Sequence, residues 1–303
     1  MHSASSDPGM IEDEANAIEV KGLEKRYGEH EAVRGIDITV KRGEVFGLLG
    51  PNGAGKTTTV EILEGYRTRT SGEVSVLGYD PAKRQIELRK RIGIVLQAGG
   101  IYSHVTPREA LQHWASFYPK PRDVDEVLQL SGLDEKADAR SRTLSGGQLR
   151  RLDFALALVG DPELIFLDEP TTGFDPAARR DAWETVKNLR EGGKTILLTT
   201  HYLDEAQALA DRVAIVKDGR VLAVGPPREL GAHSPGAHPP GAAQYTIAYR
   251  DANGARIERQ TENPTRLLNE LTSKAIEQGE SLEELSVGRP TLEDVYLELT
   301  ADE

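Results

Sequence analysis

The stretch Gly50-Pro51-Asn52-Gly53-Ala54-Gly55-Lys56-Thr57, followed by Thr58, decides how this sequence folds. It has the pattern G-x-x-x-x-G-K-[S/T] and lies between the apolar run Val45–Leu49 and a segment with helical periodicity. Glycines in such a loop let successive backbone N–H groups surround phosphate oxygens, and the next helix directs its positive end at them. Lys56 would neutralise the outer phosphates and the Thr57 hydroxyl would ligate Mg²⁺. The alternative is a glycine turn before an ordinary helix, but the strand-loop-helix context favours a phosphate site.

Apolar, strand-sized stretches alternate with helical ones from Ala17 to about Gly225, which predicts an α/β domain. Between Thr106 and Val159 helical periodicity replaces the strands, which predicts a helical subdomain of about residues 98–160. The Asp218-Gly219 pair predicts a hairpin between the last two strands, because both positions tolerate positive φ. The predicted strands are Ile18–Val20, Ala32–Val40, Val45–Leu49, Glu73–Leu77, Ile92–Leu96, Leu164–Leu167, Thr195–Leu198, Val213–Val216 and Val221–Val224.

The composition changes sharply after Gly225. Residues 226–243 are rich in proline and glycine, which predicts a linker without a packed core. Residues 244–303 are then expected to form a small α+β accessory domain. Because such a linker separates domains, a chain truncated after Gly225 is expected to keep a folded phosphate site. The predicted elements of the accessory domain are a hairpin around Asn253-Gly254, a helix near Thr265–Gln278, a strand at Leu282–Val287 and a helix at Thr291–Thr300.

The composition also limits the classes of function. The net charge of −12 disfavours a nucleic-acid partner, since such proteins usually carry a basic surface. The absence of cysteine excludes disulfides, thiolate metal sites and thiol catalysis. No stretch approaches the roughly 18 consecutive apolar residues of a membrane span, so any membrane part is expected on another chain. Residues 1–16 are polar and acidic, unlike a secretion signal, and are predicted to be a flexible tail.

Two adjacent carboxylates, Asp168 and Glu169, follow the apolar run Leu164–Leu167. Paired acids seldom end a buried strand, because desolvated like charges repel unless a cation is near. Asp168 suits direct or water-mediated Mg²⁺ binding, whereas Glu169 faces the other way and could polarise an attacking water. The alternative is a strand end that emerges into solvent, and the upstream phosphate loop favours the first interpretation.

A second glycine-containing segment, Leu144-Ser145-Gly146-Gly147-Gln148, leads into the helix Leu149–Val159. Ser145 can cap that helix, and the glycines allow close approach of the backbone to an anion. The alternative is a capped helix with a flexible entry. Because the segment follows a phosphate loop and precedes the Asp-Glu strand, it resembles the signature of ABC transporter ATPases.

The resemblance covers Ala17 to about Gly225. It implies a P-loop ATPase core with a mixed sheet, an antiparallel β-subdomain and a helical subdomain. It also implies ATP and Mg²⁺ as cofactors and in-line attack of water on the γ-phosphate. Tyr27 matches the aromatic residue that stacks on adenine. Gln97 matches the Q-loop glutamine that reaches Mg²⁺ and the attacking water, and His201 matches the switch histidine that contacts the γ-phosphate.

The same resemblance implies partners. In ABC ATPases the signature loop of one subunit covers ATP held by the P-loop of another, so a homodimer or a heterodimer with a related ATPase is expected. Ser145, Gly146, Gly147, Gln148 and Asp175 would then contact ATP on the opposite subunit. Asp175 belongs to Gly173-Phe174-Asp175, which matches the D-loop, although Phe174 replaces an aliphatic residue. A separate integral-membrane permease is also implied, with this chain cytoplasmic and peripheral on the inner face of the membrane.

The C-terminal stretch Pro290–Thr300 resembles the ending of drug-export and polysaccharide-export ATPases, including the daunorubicin-resistance type. Export is therefore expected, with an importer subunit or a soluble ATP switch as alternatives. Switches usually carry long coiled-coil insertions or two cassettes, and this sequence has neither. The apolar face of Leu292, Val295, Tyr296 and Leu299 is expected to hold dimers together or select the permease; the alternative is packing within the small domain.

Overall fold

The computed structural model describes residues 16–95, 103–230, 245–250, 254–288 and 291–300. Twelve strands in these ranges form three sheets: β1 Asn16–Tyr27, β2 His30–Lys41, β3 Val45–Leu49, β4 Ser71–Val76, β5 Ile92–Val95, β6 Leu164–Asp168, β7 Thr195–Thr200, β8 Arg212–Lys217, β9 Arg220–Gly225, β10 Tyr245–Arg250, β11 Arg256–Thr261 and β12 Glu283–Gly288. The α-helices in the same ranges are α1 Lys56–Leu63, α2 Ile86–Arg89, α3 Pro107–Ala115, α4 Val124–Leu130, α5 Gly146–Leu158, α6 Pro176–Glu191, α7 Leu203–Leu209, α8 Pro227–Leu230, α9 Pro264–Gln278 and α10 Leu292–Thr300.

The largest sheet has the strand order β5-β6-β7-β3-β8-β9, in which the first five strands run parallel and β9 returns antiparallel. Every residue of β3, β6 and β7 is buried, as expected for strands covered on both faces. Because parallel strands end at one edge, the loops after them meet there. We call this the carboxyl edge; it consists of residues 50–57, 168–172 and 199–202. The predicted β8–β9 hairpin is confirmed, with positive φ at Asp218 and Gly219.

The smaller N-terminal sheet has the order β2-β1-β4, and both pairings are antiparallel. Val20 on β1 lies opposite Ile38 on β2 and Val74 on β4, and all three are buried. They share one core cluster with Val60 and Leu63 of α1, so this sheet packs over the helix that follows the phosphate loop. The antiparallel β-subdomain expected from the resemblance is therefore present.

The segment between β5 and β6 contains α3, α4 and α5, as the helical periodicity predicts. Thr106 begins α3 with a capping box, since its hydroxyl accepts from Glu109 N and its own N–H donates to the Glu109 carboxylate. Leu111, Leu128 and Leu152 are buried in one cluster with apolar residues of β5 and β6. This shared core fixes the helices against the central sheet.

The C-terminal segment contains the predicted hairpin, long helix, strand and final helix. Its sheet has the order β11-β10-β12. The last helix, however, does not present its apolar face to a partner. Leu292 and Val295 on α10 are 1% and 0% exposed and share a core cluster with Leu49, Val213 and Ile215 of the central sheet. The expectations that this face is free for dimers or the permease, and that it packs within a separate small domain, are wrong. The expectation that truncation after Gly225 leaves the phosphate site folded stays a prediction.

The predicted linker is also partly packed. Residues 227–230 form α8, and Leu230 is buried in the cluster that holds α10. The remaining linker residues, 231–243, lie outside the described residues, as do Asn253, Gln97 and all of the predicted N-terminal tail except Asn16, which begins β1. None of the helices in the described ranges has the length and apolar character of a membrane span.

Candidate ATP-binding and hydrolysis site

The phosphate loop connects β3 to α1 at the carboxyl edge. Gly53 and Gly55 have φ of 82° and 97°, which a residue with a Cβ rarely adopts. A Cβ on Gly50 would lie 2.1 Å from the carbonyl oxygen of Val216, so the loop also needs glycine there for space. Within the described residues, no side chain caps the first N–H groups of α1, which leaves them available to an anion.

Lys56 is buried at the start of α1. Its Nζ donates to the carbonyl oxygens of Gly50, at 2.7 Å, and Pro51, at 3.0 Å, and lies 3.7 Å from Glu169 Oε1. Burial lowers the pKa of Lys56, while the carboxylates of Glu169 and Asp168 oppose that shift. The ammonium group is thus directed into the loop by carbonyl oxygens, beside the helix N-terminus where a phosphate would bind.

Asp168 ends β6 and is buried beside the phosphate loop. Its Oδ1 accepts from Thr199 Oγ1 at 2.6 Å and from Thr57 Oγ1 at 3.4 Å. Burial raises the pKa of Asp168, and the hydrogen bond from Thr199 opposes this shift. A bound cation would favour the ionised carboxylate, so this position suits a metal ion that also binds phosphate.

Glu169 turns away from the strand with φ of 45°, a strained value for a non-glycine residue. Its Oε1 lies 3.3 Å from His201 Nδ1, and its Oε2 accepts from Thr172 Oγ1 at 3.2 Å. His201 Nδ1 is buried and makes no hydrogen bond of good geometry to any described residue. The histidine ring packs on Tyr202 with centroids 4.1 Å apart. The sheet edge thus brings a carboxylate and an imidazole to one point.

The oxygen atoms at this edge fit Mg²⁺ as it is usually held with nucleotides. Mg²⁺ takes one or two protein oxygens together with phosphate oxygens and waters rather than a dedicated protein cage. Thr57 Oγ1 and Asp168 Oδ1 supply two such oxygens, which lie 3.4 Å apart. Among the described residues, no group of three or more His, Asp or Glu side chains forms a cage of its own. The third predicted metal-contacting residue, Gln97, lies outside these residues.

The signature and D-loop segments lie together in a cleft of about 640 Å³ whose lining contains no residue of the phosphate loop. Ser145 caps α5, because its hydroxyl accepts from Gln148 N at 3.2 Å while its N–H donates to Gln148 Oε1 at 2.9 Å. Asp175 caps α6 by accepting from two backbone N–H groups, which lower its pKa. Gly146, Gly147 and Phe174 also line the cleft. Two helix N-termini therefore border one cavity.

Tyr27 ends β1 with 39% of its surface exposed. Lys25 Nζ and the guanidinium carbon of Arg67 lie 5.0 Å and 5.3 Å from the ring centroid. Both distances are within cation–π range. The ring is accordingly an accessible flat surface held by cationic neighbours.

Sequence reasoning did not identify two residues near the carboxylates. Thr199 contacts Asp168 and Glu169 directly, and its signal was a polar residue inside the apolar run Thr195–Thr200. Glu64 follows α1, and burial, followed by the charges of Asp168 and Glu61, raises its pKa to about 8. No spacing in the sequence brings Glu64 to Asp168, because their proximity depends on how α1 packs on β6.

Comparison with known proteins agrees with this geometry. The sequence profile of the ABC transporter family matches residues 33–172. The chain is 38% identical to the daunorubicin resistance ATP-binding protein DrrA3 of Streptomyces coeruleorubidus, over 95% of this chain and 96% of that protein. It is 42% identical to the Nod factor export ATP-binding protein I of Ralstonia nicotianae, over 72% of this chain and 70% of that protein. The linearmycin resistance ATP-binding protein LnrL of Bacillus subtilis is 39% identical, over 70% of each chain.

Solved structures give the same result. The protein cbiO1 of Clostridium perfringens, part of the ABC transporter complex cbiONQ, matches with a TM-score of 0.65 and 29% identity, over 72% of this chain and 91% of that chain. A dimeric ATP-binding cassette bound to ADP and Pi matches with a TM-score of 0.61 and 27% identity, over 69% of this chain and 98% of that chain. The carboxyl-edge geometry and a similarity that spans almost the whole sequence identify the chain as a member of the ATP-hydrolysing subunits of ABC transporters.

Proposed function

We propose that this chain powers export through a separate membrane permease. The observation that carries the proposal is the 38% identity to a daunorubicin resistance ATP-binding protein over nearly the full length of both chains. The names of two further relatives refer to Nod factor export and linearmycin resistance. An importer subunit and a soluble ATP switch remain the alternatives. The expected location is the inner face of the cell membrane, where a permease would hold the chain.

The roles proposed for the site residues are supported by their positions at the carboxyl edge. Lys56 would bind the outer phosphates, and Thr57 and Asp168 would hold Mg²⁺, which when bound would neutralise developing phosphate charge. Glu169 polarises the attacking water, since its carboxylate lies between Lys56 and His201. An imidazole N–H of His201 would donate a hydrogen bond to an oxygen of the γ-phosphate. The resemblance adds Gln97 as a further contact to Mg²⁺ and the water.

The adenine is proposed to stack on Tyr27. A partly exposed aromatic ring with cations over it offers dispersion and electrostatic contact to a base. Lys25 and Arg67, both close to this ring, would also lie near the nucleotide phosphates or ribose. Tyr27→Ala is expected to weaken ATP binding, whereas Tyr27→Phe is expected to preserve it.

Two chains are proposed to enclose two ATP molecules. The support is that the lining of the signature cleft contains no residue of the phosphate loop, together with the dimeric cassette among the structural neighbours. The helix N-termini capped by Ser145 and Asp175 would then face phosphates held by the other subunit. A homodimer and a heterodimer with a related ATPase both satisfy this arrangement.

The permease is proposed to contact a groove of about 1420 Å³ between α1, β5 and α3. Tyr66, Trp114 and Phe117 line it and are exposed, which is typical of a surface that a partner covers. We expect Phe117→Ala to reduce co-purification with the permease. Ile276→Ala is the matched control, because Ile276 is exposed but lies on α9, outside the groove lining.

The direction of transport can be measured with the chain and its permease in proteoliposomes, using a substrate panel that includes daunorubicin. Export predicts that ATP on the side bearing this chain drives substrate to the opposite side. Transport toward the ATP side, or a requirement for a solute-binding protein, would instead favour the importer. ATP hydrolysis without any permease association would favour the soluble switch.

A further inference from the structure

Thr199 lies on β7 directly beside Asp168 on β6 in the parallel ladder. Neighbouring residues of paired strands point to the same face of the sheet, so the Thr199 hydroxyl and the Asp168 carboxylate meet. Thr199 is 0% exposed, and its Oγ1 donates to Asp168 Oδ1 at 2.6 Å. The same oxygen accepts from the backbone N–H of Glu169 at 2.9 Å. One buried hydroxyl thus contacts both acidic residues.

The donor and acceptor roles in these two hydrogen bonds are fixed. A threonine hydroxyl has one proton and two lone pairs. The Thr199 O–H donates a hydrogen bond to the Asp168 carboxylate, and a lone pair of the same oxygen accepts one from the Glu169 N–H. Reversing either bond is impossible, because an ionised carboxylate cannot donate and a backbone N–H cannot accept. The hydroxyl therefore sets the separation between the side chain of one acid and the backbone of the next.

The backbone of Glu169 needs such support. Its φ of 45° is strained for a residue with a Cβ, and strained values persist only where surrounding contacts fix them. The left-handed turn leaves the direction of β6 and brings the Glu169 carboxylate within 3.7 Å of Lys56 and 3.3 Å of His201. A bond from the Glu169 N–H to a buried side chain holds the backbone at the point where this turn occurs.

We propose that Thr199 is a positioning residue for ATP hydrolysis that aligns the Mg²⁺-binding and water-polarising carboxylates with each other. It acts through Asp168 and Glu169 and contacts neither nucleotide nor water itself. This inference rests on the roles assigned to those two residues under the proposed function. It adds a third residue, on a neighbouring strand, to the pair that the sequence motif contains.

The test compares Thr199→Val, which removes the hydroxyl and keeps the branched shape, with Thr199→Ser, which keeps the hydroxyl. Thr195→Val is the matched control. Thr195 lies on the same strand, is 3% exposed, and its hydroxyl accepts from the backbone N–H of Gly43 at 2.9 Å. This control removes a buried acceptor of the same kind at the opposite end of the strand, away from both carboxylates.

Steady-state ATP hydrolysis by the purified full-length chain gives the first readout. Loss of a residue that orients a metal-binding or reacting group typically lowers activity about 10- to 100-fold. We expect Thr199→Val to lower kcat in this range with little change in KM for ATP. The kcat of Thr199→Ser should stay within about threefold of the wild-type value, and Thr195→Val should keep the wild-type kcat even if its Tm falls.

Nucleotide binding gives a readout independent of turnover. Binding of a non-hydrolysable ATP analogue is titrated with Mg²⁺ and, separately, measured without it. Thr199→Val should need roughly 10- to 100-fold more Mg²⁺ for the same gain in affinity, while binding without Mg²⁺ stays unchanged. Thr199→Ser should follow the unchanged protein in both measurements.

The outcomes separate this inference from the proposed function. If the unchanged chain hydrolyses ATP and Thr199→Val matches it in kcat and Mg²⁺ dependence, the positioning role is overturned while the proposed function stands. If Thr199→Val does not fold, Thr199→Ser decides: preserved kcat and Mg²⁺ dependence support the role of the hydroxyl, and loss of either overturns it. An unchanged chain without ATPase activity would contradict the proposed site instead.

Discussion

The carboxyl edge and the C-terminal helix α10 both show simple sequence patterns, yet they differ in what holds them in place. At the carboxyl edge, parallel strands bring their ends together, so Lys56, Asp168 and Glu169 meet because of backbone topology. For α10, no such constraint exists along the chain. Its position depends on how Leu292 and Val295 fit beside α7 and α8, in the apolar cluster that these helices share with β3 and β8. Topology thus fixes the catalytic groups, whereas apolar packing and a hydrogen bond from Lys217 Nζ to the Thr300 carbonyl oxygen fix the C-terminal helix.

The largest expected effect concerns the carboxyl edge, whose position the sheet topology fixes. Glu169→Gln removes the carboxylate beside Lys56 and His201 without changing the side-chain shape. The rate of ATP hydrolysis is expected to fall about 10²- to 10⁴-fold, or roughly 3–5 kcal/mol of transition-state stabilisation. Initial rates of phosphate release check this, with Thr195→Val as a variant that keeps the carboxylate. Near-normal turnover by Glu169→Gln would remove Glu169 from its role.

The second prediction concerns the stability that α10 contributes through its packing. Leu292→Ala should lower the free energy of unfolding by about 2–5 kcal/mol, because it leaves a cavity in the apolar cluster that α10 shares with α7, α8 and the central sheet. Leu297→Ala on the same helix should change it by no more than about 0.5 kcal/mol, since Leu297 is 58% exposed. Urea unfolding of both variants measures the difference. Equal stability of the two would mean that α10 does not pack on the central sheet.

These two regions also show how far the sequence determined the structure. The positions of the G-x-x-x-x-G-K-[S/T] loop and the Asp168-Glu169 pair could be predicted from the sequence. Each follows a buried strand, and the carboxyl ends of parallel strands meet at one edge of the sheet. The apolar face of α10 was equally visible as a pattern, but a period of 3.6 residues states only that a face is buried, not against what. The same limit concealed Thr199, whose importance comes from the strand beside it rather than from its own neighbours in sequence.

A smaller effect is expected from Glu64, which caps the C-terminal end of α1. Its pKa is raised to about 8 by burial and by the charges of Asp168 and Glu61. Between its ordinary value and about 8, the folded chain therefore binds more protons than the unfolded chain, so this group makes stability fall as pH rises. Glu64→Gln, which is neutral throughout, should weaken that decline. Tm between pH 5 and 9 measures it, and parallel profiles for both proteins would contradict the buried carboxyl.

The central claim is that the carboxyl edge of one chain and the signature cleft of another together enclose ATP. The most direct measurement is the mass of Glu169→Gln in solution with and without Mg·ATP, since slow hydrolysis and the loss of one carboxylate near the phosphates should both favour the closed pair. We expect the mass to double with ATP at micromolar protein, and Glu169→Gln combined with Lys56→Ala to stay monomeric. A single chain under both conditions, with ATP bound, would contradict enclosure by a second copy.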